Sequence, residues 1–329
     1  MEVINHMDSK INQERRQKLI SVICPVFNEE ETIPIFYKRF LTVIEPLRKR
    51  YDFELIFTNN CSTDRSLEII QGYCRQDSMV KVLTLSRNFG YQKSVLAGLT
   101  HARGEGIVVI DADCEDPPEM IPGFISKWEK GYDIVYGIRE NRPEPLVIKL
   151  MRKLFYRLNK MIGDSEIILD MAEFSLISSH IRDAIISNST TYPFLRTEIG
   201  YIGFNRIGIP YTREKRVAGK THYSLIRMTQ YAIAGILTSS TFPLRLAMYL
   251  AVPLIFVNFL LVYLELNSLF VNSFKIMVML DMLYMILSIP FISIYVARIY
   301  NDGMARPNFF IDWSKSVIDD ADGNDSIES

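Results

Sequence analysis

Two long apolar segments near the C-terminus limit what this chain can fold into. Residues 246–266 read LAMYLAVPLIFVNFLLVYLEL and residues 276–297 read IMVMLDMLYMILSIPFISIYVA. Each is about as long as the roughly 20 apolar residues that a helix needs to cross a bilayer. A pair of buried core helices is the alternative. Two such segments in succession, flanked by Arg245, Arg298 and Arg306, favour a transmembrane hairpin attached to a soluble domain.

The charges around these segments predict how the hairpin lies in the membrane. The short linker between them carries only Lys275, whereas the arginines flank the outer ends. Because positive residues are retained on the cytoplasmic side, we expect both termini and the soluble domain in the cytoplasm, at the inner (cytoplasmic) membrane. Asn258 and Asp281 fall inside the apolar segments, and polar side chains at that depth are expected to face another helix.

The overall composition supports a sizeable core without naming a class of protein, and it gives no sign of a nucleic-acid partner. The 329 residues are 48% hydrophobic and carry a formal net charge of −1. The first 18 residues are polar and lack the apolar region of a signal peptide. The four cysteines form no CxxC pair, so we interpret them as reduced cytosolic thiols: Cys24, Cys61, Cys74 and Cys114.

Residues 19–136 alternate short apolar runs with helical patterns. The runs LISVICPVF, FELIFTN, VKVLTLS, GIVVID and YDIVYG are predicted strands, separated by predicted helices. This α/β rhythm predicts a doubly wound, mostly parallel sheet. Ligands bind such sheets at the carboxyl ends of strands. Polar sequences follow three of the strands, namely NEEE, NNCSTD and DADCED, so we expect the active site there.

The sequence DADCED places several acids directly after an apolar strand. Asp111 and Asp113 would share one face if the strand stays extended through the motif. Two such carboxylates suit Mg²⁺ or Mn²⁺ shared with a diphosphate, and a solvated acidic loop is the alternative. The chain has neither a GxGxxG after the first strand nor a P-loop. Asp116 followed by Pro117 predicts a helix start with Asp116 as its N-cap.

Five motifs together resemble glycosyltransferase family 2: CPVFNEEE, NNCSTDRS, SRNFGYQKSVLAGL, DADCEDPPEM and YTREKRVAGKTHYSL. The resemblance extends over residues 19–307. It is specifically to the branch that transfers sugars to polyprenyl phosphate, such as dolichyl-phosphate mannose synthases and bactoprenol glucosyltransferases. It implies a GT-A fold, a nucleotide-sugar donor, a divalent cation and inversion at the anomeric carbon.

The resemblance also implies roles for individual residues. The donor-binding positions are Pro25, Phe27, Glu29, Asn60, Asp111, Ala112, Asp113 and Arg139. Asp111 and Asp113 would hold Mg²⁺ or Mn²⁺, with Asp113 also counted as catalytic and Glu115 as an extra carboxylate where relatives often carry Gln. The phosphate-binding positions of the basic segment are Arg213, Arg216, Lys220 and His222. A patch that attracts anionic lipids is the alternative for this segment.

Several positions depart from the family pattern. Asn59 and Asn60 stand where Asp is more common, and Cys61 stands where Gly is. An amide both accepts and donates hydrogen bonds, which leaves the nucleotide open, with a UDP-sugar favoured. His222 replaces a lysine, so this phosphate contact would depend on pH.

The family carries an acid between the sheet and the membrane part, and the matching residues here are DMAEFSLIS. This alignment places Glu173 in the position of the base and Ser175 where an Arg is usual. A lipid phosphate is already largely ionised near neutral pH, so Glu173 would orient the acceptor or accept its residual proton. The alternative is that Glu173 is a surface acid and Asp170 does this work.

Two further segments, 145–162 and 224–240, combine apolar residues at helical spacing with basic residues. They predict helices at the membrane interface, and packing against the sheet is the alternative. The predicted organisation is a polar segment 1–18, a GT-A domain 19–223, an interfacial helix 224–245, a transmembrane hairpin 246–297 and a cytoplasmic tail 298–329.

Taken with the resemblance, these features predict a membrane-anchored, inverting hexosyltransferase. It would transfer one sugar from a nucleotide donor to undecaprenyl phosphate, for the assembly or modification of cell-surface glycans. A processive polysaccharide synthase fits less well, because the chain lacks a QxxRW motif and has only two predicted spans. A catalytically weak homologue that acts as a scaffold or binding subunit is the second hypothesis. A homo-oligomer is compatible with both.

Overall fold

The computed structural model describes residues 17–140, 171–188, 194–214, 217, 241–267, 269–270, 272–304 and 306–318. The strands are β1 Lys18–Val26, β2 Tyr51–Asn59, β3 Val80–Thr84, β4 Gly106–Val109, β5 Ile134–Glu140, β6 Met171–Ser178 and β7 Arg206–Thr212. The α-helices are α1 Ile33–Ile44, α2 Ser66–Gln76, α3 Tyr91–His101, α4 Ile121–Trp128, α5 Ser179–Ser187, α6 Leu195–Ile202, α7 Phe242–Leu266 and α8 Ser273–Gly303. Short 3-10 turns occupy Glu45–Leu47, Pro118–Met120 and Trp313–Lys315.

Several predictions fall outside the described residues. They are the interfacial segment 145–162, the interfacial segment 224–240, Asp170, Arg216, Lys220 and His222.

The seven strands form one mixed sheet in the order β3-β2-β1-β4-β6-β5-β7. Strand β6 runs antiparallel to both of its neighbours, β4 and β5, and every other pairing is parallel. The predicted alternation of strands and helices is confirmed for β1 to β5. Because the parallel strands end at the same edge, the three polar sequences after β1, β2 and β4 are brought together there.

Both faces of the sheet are covered, which explains why its strands are almost continuously apolar. Successive residues of β1 point to opposite faces. Val22 and Cys24 belong to the core cluster that includes Phe36 of α1, whereas Ile23 belongs to the second cluster with Val95 of α3. Each layer of helices therefore buries its own apolar face against the sheet.

Helix α3 approaches the sheet closely because it carries Gly98. A Cβ atom at this position would lie 3.0 Å from Cγ2 of Thr58 and closer still to Ile23. The absence of a side chain lets the helix pack directly on β1 and β2. This packing fixes where the first residues of α3 lie, which matters for the site described below.

Helices α7 and α8 contain the predicted spans. The apolar stretches Leu244–Leu266 and Ser273–Gly303 are long enough to cross a membrane. In the most apolar 18 residues of each stretch, 0% and 6% of the residues, respectively, are buried within the protein. Core helices of a soluble domain would be mostly buried, so the buried-core alternative is not supported. The two helices suggest association with a membrane.

A polar contact joins the two apolar helices. Nδ2 of Asn258 donates a hydrogen bond of 2.8 Å to Oδ1 of Asp281, and the hydroxyl of Tyr284 donates to the backbone oxygen of Ala247 at 3.1 Å. The expectation that Asn258 and Asp281 each face another helix is confirmed. Polar groups paired in this way avoid contact with hydrocarbon.

The segment after α8 returns to the sheet and covers the edge strand β3. Backbone hydrogen bonds link Val82 and Val317 in both directions at 2.8 Å, and the amide of Asp312 donates to the oxygen of Thr84 at 2.8 Å. The amide of Ser86 donates to the oxygen of Phe310 at 2.9 Å. An uncovered edge strand is a template for aggregation, and this segment removes that exposure.

Candidate active site

The loops after β1 and β2 are joined by hydrogen bonds between their backbones and side chains. The amide of Asn28 donates to Oγ of Ser62 at 3.1 Å, and the amide of Thr63 donates to Oδ1 of Asn28 at 2.8 Å. The amide of Glu29 donates to Oγ of Ser66 at 2.8 Å. The two loops therefore form one connected wall, beside which Pro25 and Phe27 lie at and just beyond the end of β1.

Asn60 uses both ends of its amide within the protein. Its Nδ2 donates to Oδ1 of Asn88 at 3.0 Å, and its Oδ1 accepts from the amide of Phe89 at 2.8 Å. Asn59 similarly accepts from the amide of Ser62 at 3.0 Å. Asn60 thus shapes the loop between β3 and α3, and Asn59 shapes the loop that follows β2. Both ends of each side-chain amide are therefore already engaged within the protein before a nucleotide arrives.

The acidic motif after β4 is a turn and not an extended strand. β4 ends at Val109, and Cys114 has a positive φ of 57°. Strand alternation therefore does not govern where Asp111 and Asp113 point, since the condition of an extended backbone is not met. Oδ1 of Asp113 accepts the amide of Glu115 at 3.0 Å, a hydrogen bond that closes the turn. Ala112 between the two acids is buried.

Asp111 lies in a strongly negative, enclosed position. Burial raises its pKa to about 7, and repulsion from Asp113 and Asp116 adds to the increase. The hydroxyl of Tyr91 donates to Oδ1 of Asp111 at 2.8 Å and opposes this shift. Burial, followed by the charge of Asp111, also raises the pKa of Tyr91. The site therefore holds negative charge that a cation would compensate.

Glu115 pairs with a basic residue. Its carboxylate contacts the guanidinium of Arg213, and its backbone oxygen accepts from the amide of Glu214 at 2.9 Å. Glu214 is held in turn by Arg39, which also forms an ion pair of 2.7 Å with Glu119. The start of the basic segment is thus attached to the acidic turn, with Arg213 beside it.

Asp116 and Arg139 form a buried ion pair below the acidic turn. Nη2 of Arg139 lies 2.8 Å from Oδ2 of Asp116, and the hydroxyl of Tyr211 hydrogen-bonds to the same carboxylate. The prediction that Asp116 caps the next helix is wrong: the turn at Pro118–Met120 has no side-chain cap. The ion pair holds the acidic turn against β5 and β7. It also occupies one edge of the Arg139 guanidinium, which was predicted to lie near phosphates.

Glu173 lies at the same end of the sheet and is held from two sides. Nε2 of Gln92 donates to its Oε1 at 3.3 Å, and Nε of Arg196 lies 2.8 Å from the same oxygen. Gln92 also accepts the amide of Leu195 at 3.2 Å, which attaches the start of α6. Oε2 of Glu173 is buried and has no hydrogen-bond partner among the described residues.

The residues that sequence reasoning missed are Tyr91, Gln92 and Arg196. Tyr91 and Gln92 fall inside the motif SRNFGYQKSVLAGL, so the sequence marks them as candidate site residues. It does not indicate which residues they contact. Arg196 carries no comparable signal, because it is far in sequence from both Gln92 and Asp111. It supplies an arginine beside Glu173, where Ser175 occupies the usual arginine position.

Comparison with known proteins identifies the family. Residues 21–184 match the model described as Glycosyl transferase family 2. The uncharacterized glycosyltransferase YkcC of Bacillus subtilis (strain 168) is 35% identical over 306 residues, which is 90% of this chain and 94% of that protein. The chain belongs to glycosyltransferase family 2. The bactoprenol glucosyl transferase of Shigella phage SfV is 32% identical over 303 residues, 89% of this chain and 97% of that protein.

The predicted branch of the family and the GT-A type of fold are confirmed, and the protein is a glycosyltransferase enzyme. Among solved structures, glucosyl-3-phosphoglycerate synthase from Mycobacterium tuberculosis in complex with Mn²⁺, uridine diphosphate and phosphoglyceric acid resembles the chain with a TM-score of 0.47 and 20% identity. That likeness covers 67% of this chain and 78% of that one.

The acids of this glycosyltransferase fit a divalent cation only in part. Among the described residues, no group of three or more His, Cys, Asp or Glu side chains is placed to hold a metal ion. Asp111 and Asp113 alone repel each other enough to contribute to the raised pKa of Asp111. Two carboxylates suit Mg²⁺ or Mn²⁺ when the remaining ligands come from substrate phosphates and water. The pair therefore fits a cation that arrives with its substrate.

Proposed function

We propose that this glycosyltransferase transfers a single sugar, with inversion, from a nucleotide-sugar donor to polyprenyl phosphate at the cytoplasmic face of the membrane. The observation that carries the proposal is the position of α3, whose first two residues contact both Asp111 and Glu173. One helix start thus contacts both the proposed donor-side acid, Asp111, and the proposed acceptor-side acid, Glu173. The relatives named bactoprenol glucosyl transferase support polyprenyl phosphate as acceptor, and a UDP-sugar is the favoured donor.

The donor would bind between the joined loops after β1 and β2 and the acidic turn. Pro25, Phe27 and Glu29 would flank the nucleoside, while Asn60 keeps the Asn88–Phe89 loop in place beside it. Asp111 and Asp113 would hold Mg²⁺ or Mn²⁺, which supplies positive charge to the leaving diphosphate. Basic residues would approach the phosphates from the segment that begins at Arg213.

The chemical step joins the acceptor to the anomeric carbon. An oxygen of the lipid phosphate forms the new bond to that carbon while the bond to the nucleoside diphosphate breaks on the opposite side. A phosphate monoester is mostly a dianion at neutral pH, because its second pKa is about 6. Glu173 would therefore orient the acceptor, and its Oε2 can accept the proton that remains on the monoanionic fraction.

The proposed topology places both ends of the α7–α8 hairpin in the cytoplasm. Arg245 lies in the first turns of α7, and Arg298 and Arg306 lie near and beyond the end of α8, whereas Lys275 lies at the opposite end of the hairpin, in the first turn of α8. Cysteines introduced at Leu269 and Ser314 test this arrangement with a reagent that does not cross membranes. Labelling of Leu269→Cys in intact cells, and of Ser314→Cys only after permeabilisation, is the expected pattern. Reversed labelling would refute the topology.

The deciding experiment is a donor screen. Purified full-length protein is incubated with Mg²⁺ or Mn²⁺, undecaprenyl phosphate and a panel of UDP-, GDP- and dTDP-sugars, and the lipid product is identified by mass spectrometry. We expect one donor to give a monoglycosylated lipid phosphate. Absence of any glycosylated lipid, with tight binding of a nucleotide sugar, would instead favour a role as a binding subunit.

A further inference from the structure

The ion pair between Glu173 and Arg196 leaves one buried polar atom of each residue without a hydrogen-bond partner among the described residues. Nε of Arg196 lies 2.8 Å from Oε1 of Glu173, which is close enough for an ion pair. The Nε–H is nevertheless not aligned for a hydrogen bond and finds no acceptor, while Oε2 of Glu173 finds no donor. Buried polar atoms almost always have hydrogen-bond partners, so two unpartnered atoms on one pair suggest an additional ligand.

The pair differs from an ordinary structural ion pair in its exposure. The Glu173 side chain is 12% exposed, whereas the Arg196 side chain is 39% exposed. Gln92 donates to Oε1 of Glu173, the same oxygen that Arg196 approaches, so the other oxygen, Oε2, is left without a donor. By comparison, the buried Arg139–Asp116 pair is satisfied by hydrogen bonds from both Arg139 and Tyr211. Of these two pairs, only Glu173–Arg196 combines unsatisfied atoms with a side chain that is accessible to solvent.

The missing partner must both accept from Arg196 and donate to Glu173. A phosphate monoester that retains one proton does both: its charged oxygens accept from a guanidinium and its P–O–H donates to a carboxylate. Arg is suited to this task because its planar group presents several N–H donors to a phosphate. A sugar hydroxyl could donate to Glu173, but it would not match the positive charge of Arg196.

We infer that Arg196 and Glu173 together form the binding site for the phosphate group of the acceptor, with Arg196 as a binding residue that contacts the phosphate. This inference rests on the proposed function and adds a specific residue to it. Arg196 binds the charged oxygens, and Glu173 receives the residual proton as the phosphate oxygen bonds to the sugar. The products are then a phosphodiester monoanion, the nucleoside diphosphate and a protonated Glu173, so charge and protons balance.

The geometry also explains how an arginine reaches Glu173 although position 175 is a serine. This position carries an Arg in the family pattern, and here its side chain is buried and hydrogen-bonds to the backbone oxygen of Glu173 at 3.0 Å. A cation is therefore absent from β6 at this point. Arg196 supplies one from α6, a different element, and Gln92 fixes the distance between the two by bonding to Glu173 and to the amide of Leu195.

The test compares Arg196→Gln and Arg196→Lys with Arg48→Gln as the matched control. Arg48 is similarly exposed, at 42%, and pairs with Asp77, a residue of the α2–β3 connection outside the site. Binding of geranyl phosphate, a short soluble monoester, is measured by calorimetry together with donor binding. Transfer to undecaprenyl phosphate is measured at saturating donor.

We expect Arg196→Gln to weaken phosphate binding and to raise the acceptor KM by about 10- to 100-fold, the usual effect of a lost charged hydrogen bond. Donor affinity should stay within about twofold, since the donor is bound by other elements, and Arg196→Lys should recover part of the loss. Arg48→Gln should behave as the parent. Weaker acceptor binding together with unchanged donor binding would not arise from a general loss of stability.

The result separates this inference from the proposed function. Normal acceptor binding in Arg196→Gln, or an equal loss of donor affinity, would overturn the role of Arg196 even if the parent transfers sugar efficiently. Conversely, if the parent forms no lipid product and phosphate binding is still lost in Arg196→Gln, the role of Arg196 is supported and the proposed transfer to polyprenyl phosphate is refuted.

Discussion

Tyr91 and Asp111 are joined by a hydrogen bond of 2.8 Å at the point where helix α3 begins. The neighbouring residue, Gln92, donates to Glu173, so a single helix start connects the proposed donor-side acid with the proposed acceptor-side acid. Gly98 lets α3 lie close enough to the sheet for both contacts. The sequence motif around Tyr91 therefore has a physical role: it sets the distance between the two halves of the site.

The raised pKa of Asp111 predicts how cation binding depends on pH. The folded protein keeps this proton up to about pH 7, whereas an unfolded Asp releases it near pH ~4. Stability contributed by this group is therefore present below pH ~4 and is lost as pH rises towards 7. A cation requires the ionised carboxylate, so Mn²⁺ binding at pH 6 should release a proton. Calorimetry in buffers of different ionisation enthalpy measures this release, and none at pH 6 would contradict the assignment.

Replacement of Tyr91 by Phe tests the contact directly. The hydrogen bond from Tyr91 lowers the pKa of Asp111, so its loss should move that pKa above about 7. At pH 7 we expect cation and donor binding to weaken several-fold, with recovery at pH 8.5. Tyr37→Phe is the matched control, because Tyr37 donates to Asp77 at 3.1 Å away from the site. Equal pH profiles for the parent and Tyr91→Phe would contradict this prediction.

Asp113→Asn should abolish metal-dependent turnover while leaving the fold intact. The amide oxygen of Asn can still accept the amide hydrogen of Glu115, so the turn is retained. A neutral group cannot balance the charge of a cation bound to a diphosphate. Activity with added Mn²⁺, the effect of EDTA and thermal unfolding are measured together, with exposed Asp52→Asn as control. Near-normal turnover that EDTA does not affect would remove the metal from the mechanism.

The alternating pattern of residues 19–136 predicted β1 to β5 because strand and helix periodicities are local properties of a sequence. It did not reveal that β6 inserts antiparallel between β4 and β5, since strand order is decided by packing between distant segments. Asp116 shows the same limit. Its neighbour Pro117 gave a local N-cap signal, yet the buried ion pair with Arg139, 23 residues away, determines where the carboxylate lies. Arg196 was missed for the same reason.

Glu173→Gln should lower the rate of transfer by about two to four decades, the usual range for a positioned acid or base. Donor affinity should barely change, because within the described part of the chain Glu173 is bonded to Gln92 and paired with Arg196, with no hydrogen bond or ion pair to the acidic turn. Transfer at saturating donor and donor affinity by calorimetry are measured on the same variant. Asp170→Asn is the comparison. If Asp170→Asn loses activity and Glu173→Gln does not, the acid is Asp170 and the alignment of DMAEFSLIS is displaced by three residues.

The segment after α8 should stabilise the domain and the Asn88–Phe89 loop together. Its pairing with β3 contributes four backbone hydrogen bonds, those of Val82 to Val317 in both directions, Asp312 to Thr84 and Ser86 to Phe310. The ring of Phe310 also lies 6.3 Å from the ring of Phe89, whose amide binds Asn60. The segment therefore reaches the loop that Asn60 holds beside the proposed nucleoside site.

Deletion of residues 308–329 should therefore cost about 2–6 kcal/mol of unfolding free energy, at about 0.5–1.5 kcal/mol for each hydrogen bond. It should also weaken donor binding through the loosened Asn88–Phe89 loop and promote aggregation through the exposed β3 edge. Deletion of 319–329 alone is the matched control, since it leaves the pairing to β3 in place. Chemical unfolding, donor calorimetry and light scattering measure the three effects. Should both deletions match the parent in stability and donor affinity, the pairing of this segment with β3 makes no contribution to the folded enzyme.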